Sequence, residues 1–180
     1  MSSKDNNSDN TVHNLLIEFA YKRTQGFFKK ISTPYPIQGL HYKYGFKITN
    51  IGNIDFLGGK LSNVKIKFMS NETALQSPDV HLIPPLSTKK SVIVYTNNTI
   101  FDFPGAMWIS CHISLDKGQV KTFQCSRGHK NYVSANTINE WSNGAYVVPH
   151  MEYLQSVTNR YVFLLTIVTL VLGIASLFFG

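Results

Sequence analysis

Two patterns divide the chain. From Leu15 to Ser126 apolar and polar residues alternate in short runs, and from Tyr161 to Gly180 no charged residue appears. Alternation with a period of two places one set of side chains on each face of a β-strand. Leu15, Ile17, Phe19 and Tyr21 alternate with Leu16, Glu18, Ala20 and Lys22. A rival reading makes this stretch a basic amphipathic helix that includes Phe27, Phe28, Lys29 and Lys30, but Gly26 interrupts it and its charges fall on no single helical face. Thr33-Pro34-Tyr35-Pro36 breaks regular structure. In 41–49, Tyr42, Tyr44, Phe46 and Ile48 point one way, and His41, Lys43, Lys47 and Thr49 the other.

The same reading continues downstream. Leu61 to Phe68 turns Val64, Ile66 and Phe68 inward and Lys65 and Lys67 outward, and short strands follow at 80–83 and 91–96. Ala106 to Leu115 and Val120 to Ser126 flank Asp116-Lys117-Gly118, which predicts a hairpin. About seven strands with frequent Gly, Pro and Asn turns predict a single antiparallel, immunoglobulin-like β-sandwich over residues 12–126. Residues 1–11 are polar and read as a disordered tail. Residues 127–148 read as a connector with one further strand near 145–148, and 149–180 as a juxtamembrane and transmembrane helix opened by Pro149. Trp108 is expected in the core, and Trp141, Tyr146, Tyr153 and Tyr161 near a membrane interface.

The segment Tyr161–Gly180, about twenty residues long, spans about 30 Å as a helix, the thickness of a bilayer's hydrocarbon core. The expected localisation is single-pass in a membrane. With no apolar run of signal length near Met1 and with Arg160 flanking the span, the head is expected in the cytoplasm. Thr166, Thr169, Gly173, Ser176 and Gly180 fall at spacings of three and four on one helical face, a rhythm that Glu152, Gln155, Asn159 and Val162 extend upstream. Small residues let helices approach closely in lipid, so the face suits a second membrane helix, its own copy or another subunit. Leu165, Val168, Leu172 and Phe179 would then face lipid.

Charge adds a second candidate surface. The net charge is +7, and all 17 Lys and Arg precede the anchor. Lys43, Lys47, Lys65 and Lys67 project from two strands as a basic surface suited to anionic lipid or an acidic protein. Outward lysines also protect sheets from edge pairing. Nucleic acid is disfavoured, because Lys dominates over the Arg that reads bases.

Two cysteines are too few for a disulfide framework. Cys111 and Cys125 are expected on facing strands of one hairpin, as thiols in a reducing compartment or as a disulfide outside it. Neither Cys111-His112 nor Cys125 with His129 has the spacing of a zinc knuckle, and no cofactor is expected. Asn6, Asn71 and Asn97 each stand two residues before Ser or Thr, a density that chance explains in so Asn-rich a chain. No phosphate loop, nucleophile elbow or paired-carboxylate motif is present, so catalysis is not expected.

Thr49-Asn50-Ile51-Gly52-Asn53 resembles the T-N-x-G-N turn of the CARDB and APHP group of immunoglobulin-like domains. The apolar strand 61–68, the Pro85-Leu86 loop, the β-branched strand 91–95 and Pro104-Gly105 before the Trp108 strand follow in the same order. The resemblance covers about residues 15–126 and implies a binding or spacer module. Ser87-Thr88-Lys89-Lys90 departs from it, standing where a Gly-containing turn is common, and so does the lack of an export signal. The expectation is a membrane-anchored, non-catalytic interaction module. The alternatives are a ligand- or metal-binding part of a redox or transport system, or an exported adhesion-like domain.

Overall fold

The computed structural model describes residues 11–25, 35–69, 74–125 and 132–179. The polar 1–10 stretch, the segment with Phe27 to Lys30, Asn71, His129 and Gly180 lie outside these residues. Ten strands and one helix follow in chain order: β1 (Val12–Arg23), β2 (His41–Asn50), β3 (Gly59–Phe68), β4 (Ala74–Ser77), β5 (His81–Ile83), β6 (Ser91–Ile100), β7 (Gly105–Ser114), β8 (Gln119–Cys125), β9 (Tyr132–Ile138), β10 (Glu140–Val147) and α1 (His150–Phe179). The chain is mainly β, as the alternation predicts.

The strands form two sheets. The first runs β6-β2-β1-β8-β9; the second runs β10-β7-β3-β4, with β5 also paired to β3. The β1–β2, β2–β6 and β3–β7 pairs are antiparallel, whereas β1 and β8 run parallel. The two inner faces enclose one apolar core. Leu15, Ile17, Tyr42, Tyr44, Phe46 and Ile48 enter it from the first sheet, and Leu61, Val64, Ile66, Phe68, Met107, Ile109, Cys111 and Ile113 from the second. Those of β1, β2 and β3 include the inward positions the alternation assigns, and burying a side chain of this size stabilises by about 1.5–3 kcal/mol.

Three sequence expectations are corrected. The first is the hairpin. β7 and β8 are consecutive, but they belong to opposite sheets. The reason lies at Gly118, whose φ is +87° and whose α-carbon faces the Thr11 carbonyl so closely that a Cβ would stand 2.6 Å from it. The Gln119 N–H donates to the same carbonyl (3.0 Å), and the strand leaves the turn along β1 rather than back along β7. A Gly-containing turn announces a change of direction without naming the neighbour.

The second correction is the connector. Residues 127–148 carry most of two strands: β9 closes the first sheet and β10 lies beside β7, the place assigned to β8 by the hairpin. Asn139 makes the switch between sheets at φ +63°, a backbone state that Asn tolerates. Its N–H donates to the Val120 carbonyl (2.8 Å), its carbonyl accepts from Ile113 (2.8 Å), and its Oδ1 accepts from the Val120 N–H (2.8 Å). One residue thus ties β7 and β8 together where the chain passes between them.

The third correction exchanges the tryptophans. Trp141 is 1 % exposed and stands edge-on to Phe46, with ring centroids 5.6 Å apart. Trp108 is 50 % exposed on the outer face of the second sheet, with its ring over Gly144. Register decides both. Trp141 pairs with inward Cys111, and Trp108 lies one residue out of phase with Met107 and Ile109.

The end of the sandwich opposite α1 is locked by Asn50, which is 1 % exposed. Its side-chain amide donates to the Ile54 carbonyl (2.9 Å) and the Leu86 carbonyl (3.0 Å), while its Oδ1 accepts from the Gly52 N–H (3.0 Å). The β2–β3 and β5–β6 loops are joined again where Phe56 and Leu86 exchange both backbone bonds and where Asp55 accepts from Thr88. Asn50→Ala removes all three side-chain bonds at once, so a loss of about 3 kcal/mol is expected. Urea unfolding of the full chain in detergent, followed by Trp141 emission, measures it.

Candidate functional site

Pro149 opens α1. It brings no N–H to the first turn, and its carbonyl accepts from the Tyr153 N–H (3.1 Å). Glu152 lies in that turn, where the positive end of the helix dipole favours a carboxylate. His150–Phe178, 29 residues of mean hydropathy 2.5 in the most apolar window, is long and apolar enough to cross a membrane. None of that window is buried against the rest of the chain. Nearly every residue of the helix is exposed, and no charge follows Arg160.

Within it, Thr166, Thr169, Gly173 and Ser176 share the face that the sequence pattern assigns; Gly180 lies outside the described residues. The hydroxyls bond along their own helix: Thr166 to the Val162 carbonyl (2.9 Å), Thr169 to Leu165 (2.9 Å) and Ser176 to Gly173 (2.8 Å). These hydroxyls are therefore satisfied within the helix itself, and the face presents low relief. Around Gly173 the space is open.

No linker separates sheet from helix. Val148, the residue after β10, forms a parallel bridge with Ile37. Its N–H donates to the Pro36 carbonyl (2.8 Å) and its carbonyl accepts from Gln38 (2.9 Å). The His150 Nδ1 stands 3.2 Å from the Gln38 carbonyl, a hydrogen bond in the tautomer that carries its proton there. The Tyr42 hydroxyl, buried beneath, accepts from the Ile37 N–H (3.1 Å).

The four lysines read as one basic surface divide between two. Lys43 and Lys47 stand on the outer face of the first sheet, Lys65 and Lys67 on the outer face of the second, on opposite sides of the core. Lys47 pairs with Glu18 (2.8 Å), both partly exposed, and Lys43 lies 5.5 Å from the centre of the Tyr95 ring. Such surface pairs contribute at most about 1 kcal/mol. Lys65 and Lys67 are exposed and form no ion pair among the described residues.

Cys111 and Cys125 are likewise separated, one in each sheet. Cys111 is a free thiol, 3 % exposed. Burial pushes its pKa far above the ordinary value of 9.0. Among the described residues, no three His, Cys, Asp or Glu side chains gather to hold a metal ion. Tyr21 is also shifted upward, by burial first and then by Tyr42 and Tyr35; Tyr44 is raised by burial, against the lowering effect of its bond with Thr96. No protein-family model, curated protein or solved structure matches the chain.

All three shifted groups hold their protons more tightly folded than unfolded. Stability is therefore fully present below the unfolded values of 9.0 for the thiol and 10.0 for tyrosine, and declines as pH rises above them. The melting temperature should stay flat up to about pH 9 and then fall. In a Cys125→Ser chain, a thiol reagent should leave folded Cys111 unmodified and react promptly once denaturant is added; rapid labelling of the native protein would contradict the burial.

Proposed function

We propose that this chain is a membrane-anchored, non-catalytic interaction module, in which α1 crosses a bilayer and holds the sandwich at its surface. The observation that carries this reading is the exposed apolar helix, uncharged after Arg160, that follows β10 without a linker. Arg160 beside the apolar run supports a cytoplasmic head. The Asn50 turn supports kinship with the CARDB and APHP group, because a buried side chain organises the loops around the Thr49–Asn53 motif.

The partners in this reading are the bilayer itself, anionic lipid or an acidic protein met by the head, and a second membrane helix met by the Thr166–Ser176 face. Anchoring is tested by charge. Val168→Arg with Leu172→Arg adds about 3 kcal/mol per residue to insertion, so the double variant should leave the carbonate-resistant membrane fraction that holds the native chain. Retention of the double variant would count against a spanning helix. Gly173→Leu keeps insertion intact and raises a branched side chain on the low-relief face. Helix association in bilayers, read by energy transfer between labelled chains, should drop several-fold. An unchanged signal would remove the helix partner from the reading.

A further inference from the structure

The outer face of the second sheet is not uniform along its length. Its cross-strand register sets out rows that run away from α1. Next to the helix, Tyr146 of β10 pairs with Ala106 of β7, and the Met69 N–H donates to the Ala106 carbonyl. The following row is Gly144, Trp108 and Lys67, and the one after it Ser142, Ser110 and Lys65. Glu140, the first acidic side chain in these rows, comes only with His112 in the fourth, farthest from the helix. At the helix end of this face three large side chains stand exposed, Met69 at 71 %, Trp108 at 50 % and Tyr146 at 38 %; at the far end Leu82 of β5 is 74 % exposed.

Each of these exposures has a structural cause. Tyr146 leans edge-on against Tyr35, with centroids 6.2 Å apart, and so keeps one side of its ring outward. Trp108 has only Gly144 as its β10 neighbour, so the indole lies flat on bare backbone with its other side open. Beside it, Lys67 and Lys65 supply two charges free of acidic partners among the described residues. The opposite outer face differs: its Lys47 is taken by Glu18, and its Lys43 covers Tyr95.

We infer that this corner of the sandwich rests on the headgroup layer of the bilayer that α1 crosses, with Trp108, Tyr146 and Met69 against the headgroups and Lys65 and Lys67 on the anionic ones among them. Trp and Tyr are enriched at that depth, and a lysine near an anionic surface adds about 1 kcal/mol of attraction. Position selects lipid as the occupant. α1 begins four residues after Tyr146 on the chain's own path, and at about 3.3 Å per residue the Trp108 row stands within about 20 Å of the helix start. The 29 residues of the helix extend about 43 Å, as much as a bilayer with both headgroup layers, which sets the helix end of the sheet at the outer edge of the headgroups. The inference rests on the anchored reading above and adds to it the face that the head turns to the membrane.

The native tryptophans make the test. Trp141 is sealed in the core, so an added quencher reaches only Trp108. The full chain is placed in nanodiscs of phosphatidylcholine, with or without phosphatidylserine, in which a fraction of the lipid carries bromine on its headgroup. Bromolipid should quench about half of the total emission when phosphatidylserine is present. Trp108→Phe should abolish that quenching, and Lys65→Glu with Lys67→Glu should reduce it several-fold while the chain stays inserted. If the chain inserts but its emission is untouched by bromolipid and fully open to aqueous acrylamide, the face assignment is wrong and the anchor stands. Protection from acrylamide without bromolipid quenching would put a second copy on this face and would equally overturn the assignment. Quenching indifferent to the lysine exchange would overturn the headgroup contact. A chain that fails to enter nanodiscs at all would overturn the anchored reading, and this inference with it.

Discussion

The backbone of Val148 governs how the two parts of this protein meet. Both of its hydrogen-bonding groups are engaged, one by Pro36 and one by Gln38, and only Pro149 stands between this bridge and the helix. Had the strand ended in a few unpaired residues, the sandwich would swing on a tether and none of its faces would have a fixed relation to the bilayer. The bridge instead carries sheet geometry to the threshold of α1. Pro149 reinforces it, since its ring restricts φ where a hinge would need freedom. The Ile37 N–H is held from below by the buried Tyr42 hydroxyl, whose ring packs on Phe101. The seat of the helix is therefore continuous with the aromatic core.

From that constraint the remaining features take on a common sense. The sandwich is stiffened at its far end by Asn50 and along its side by Asn139, each a buried or half-buried amide that replaces missing backbone partners where strands change direction. Between these points the apolar side chains need only fill the space. Function in this account comes from presentation rather than from chemistry at a reactive group. The helix fixes the head to a surface, and the distribution of Trp108, Tyr146, Lys65 and Lys67 decides which part of the head that surface meets.

Much of this was legible in the residues. Alternation located β1, β2, β3 and β7 and most of the inward side chains of the first three, because a half-buried strand must write its two faces into the sequence. The apolar helix was plain for a similar reason: a long run without charge is written directly in the residues. What the pattern missed was partnership between strands. The Asp116–Gly118 turn is equally compatible with a hairpin and with a crossing to the other sheet, and the choice was made by Gly118 against Thr11, more than a hundred residues away in sequence. β10 escaped notice because polar Asn143 stands inward and Gly144 outward, which blurs the period of two. That in turn misplaced both tryptophans, since an indole pattern reads the same from either face. The lysines were found at their strands, but only the sheet order shows that Lys43 and Lys47 look away from Lys65 and Lys67.

The central claim is that the head is seated on its membrane helix by paired backbone and not tethered to it. Amide hydrogen exchange of the full chain in nanodiscs, resolved at Gln38 and Val148, tests this most directly. Protection of both amides comparable to that of the β2 strand is the predicted result, since both donate to carbonyls in the bridge. Exchange of the two amides at the rate of an open loop, with β2 still protected, would mean that the sandwich swings freely above the membrane and would contradict the account.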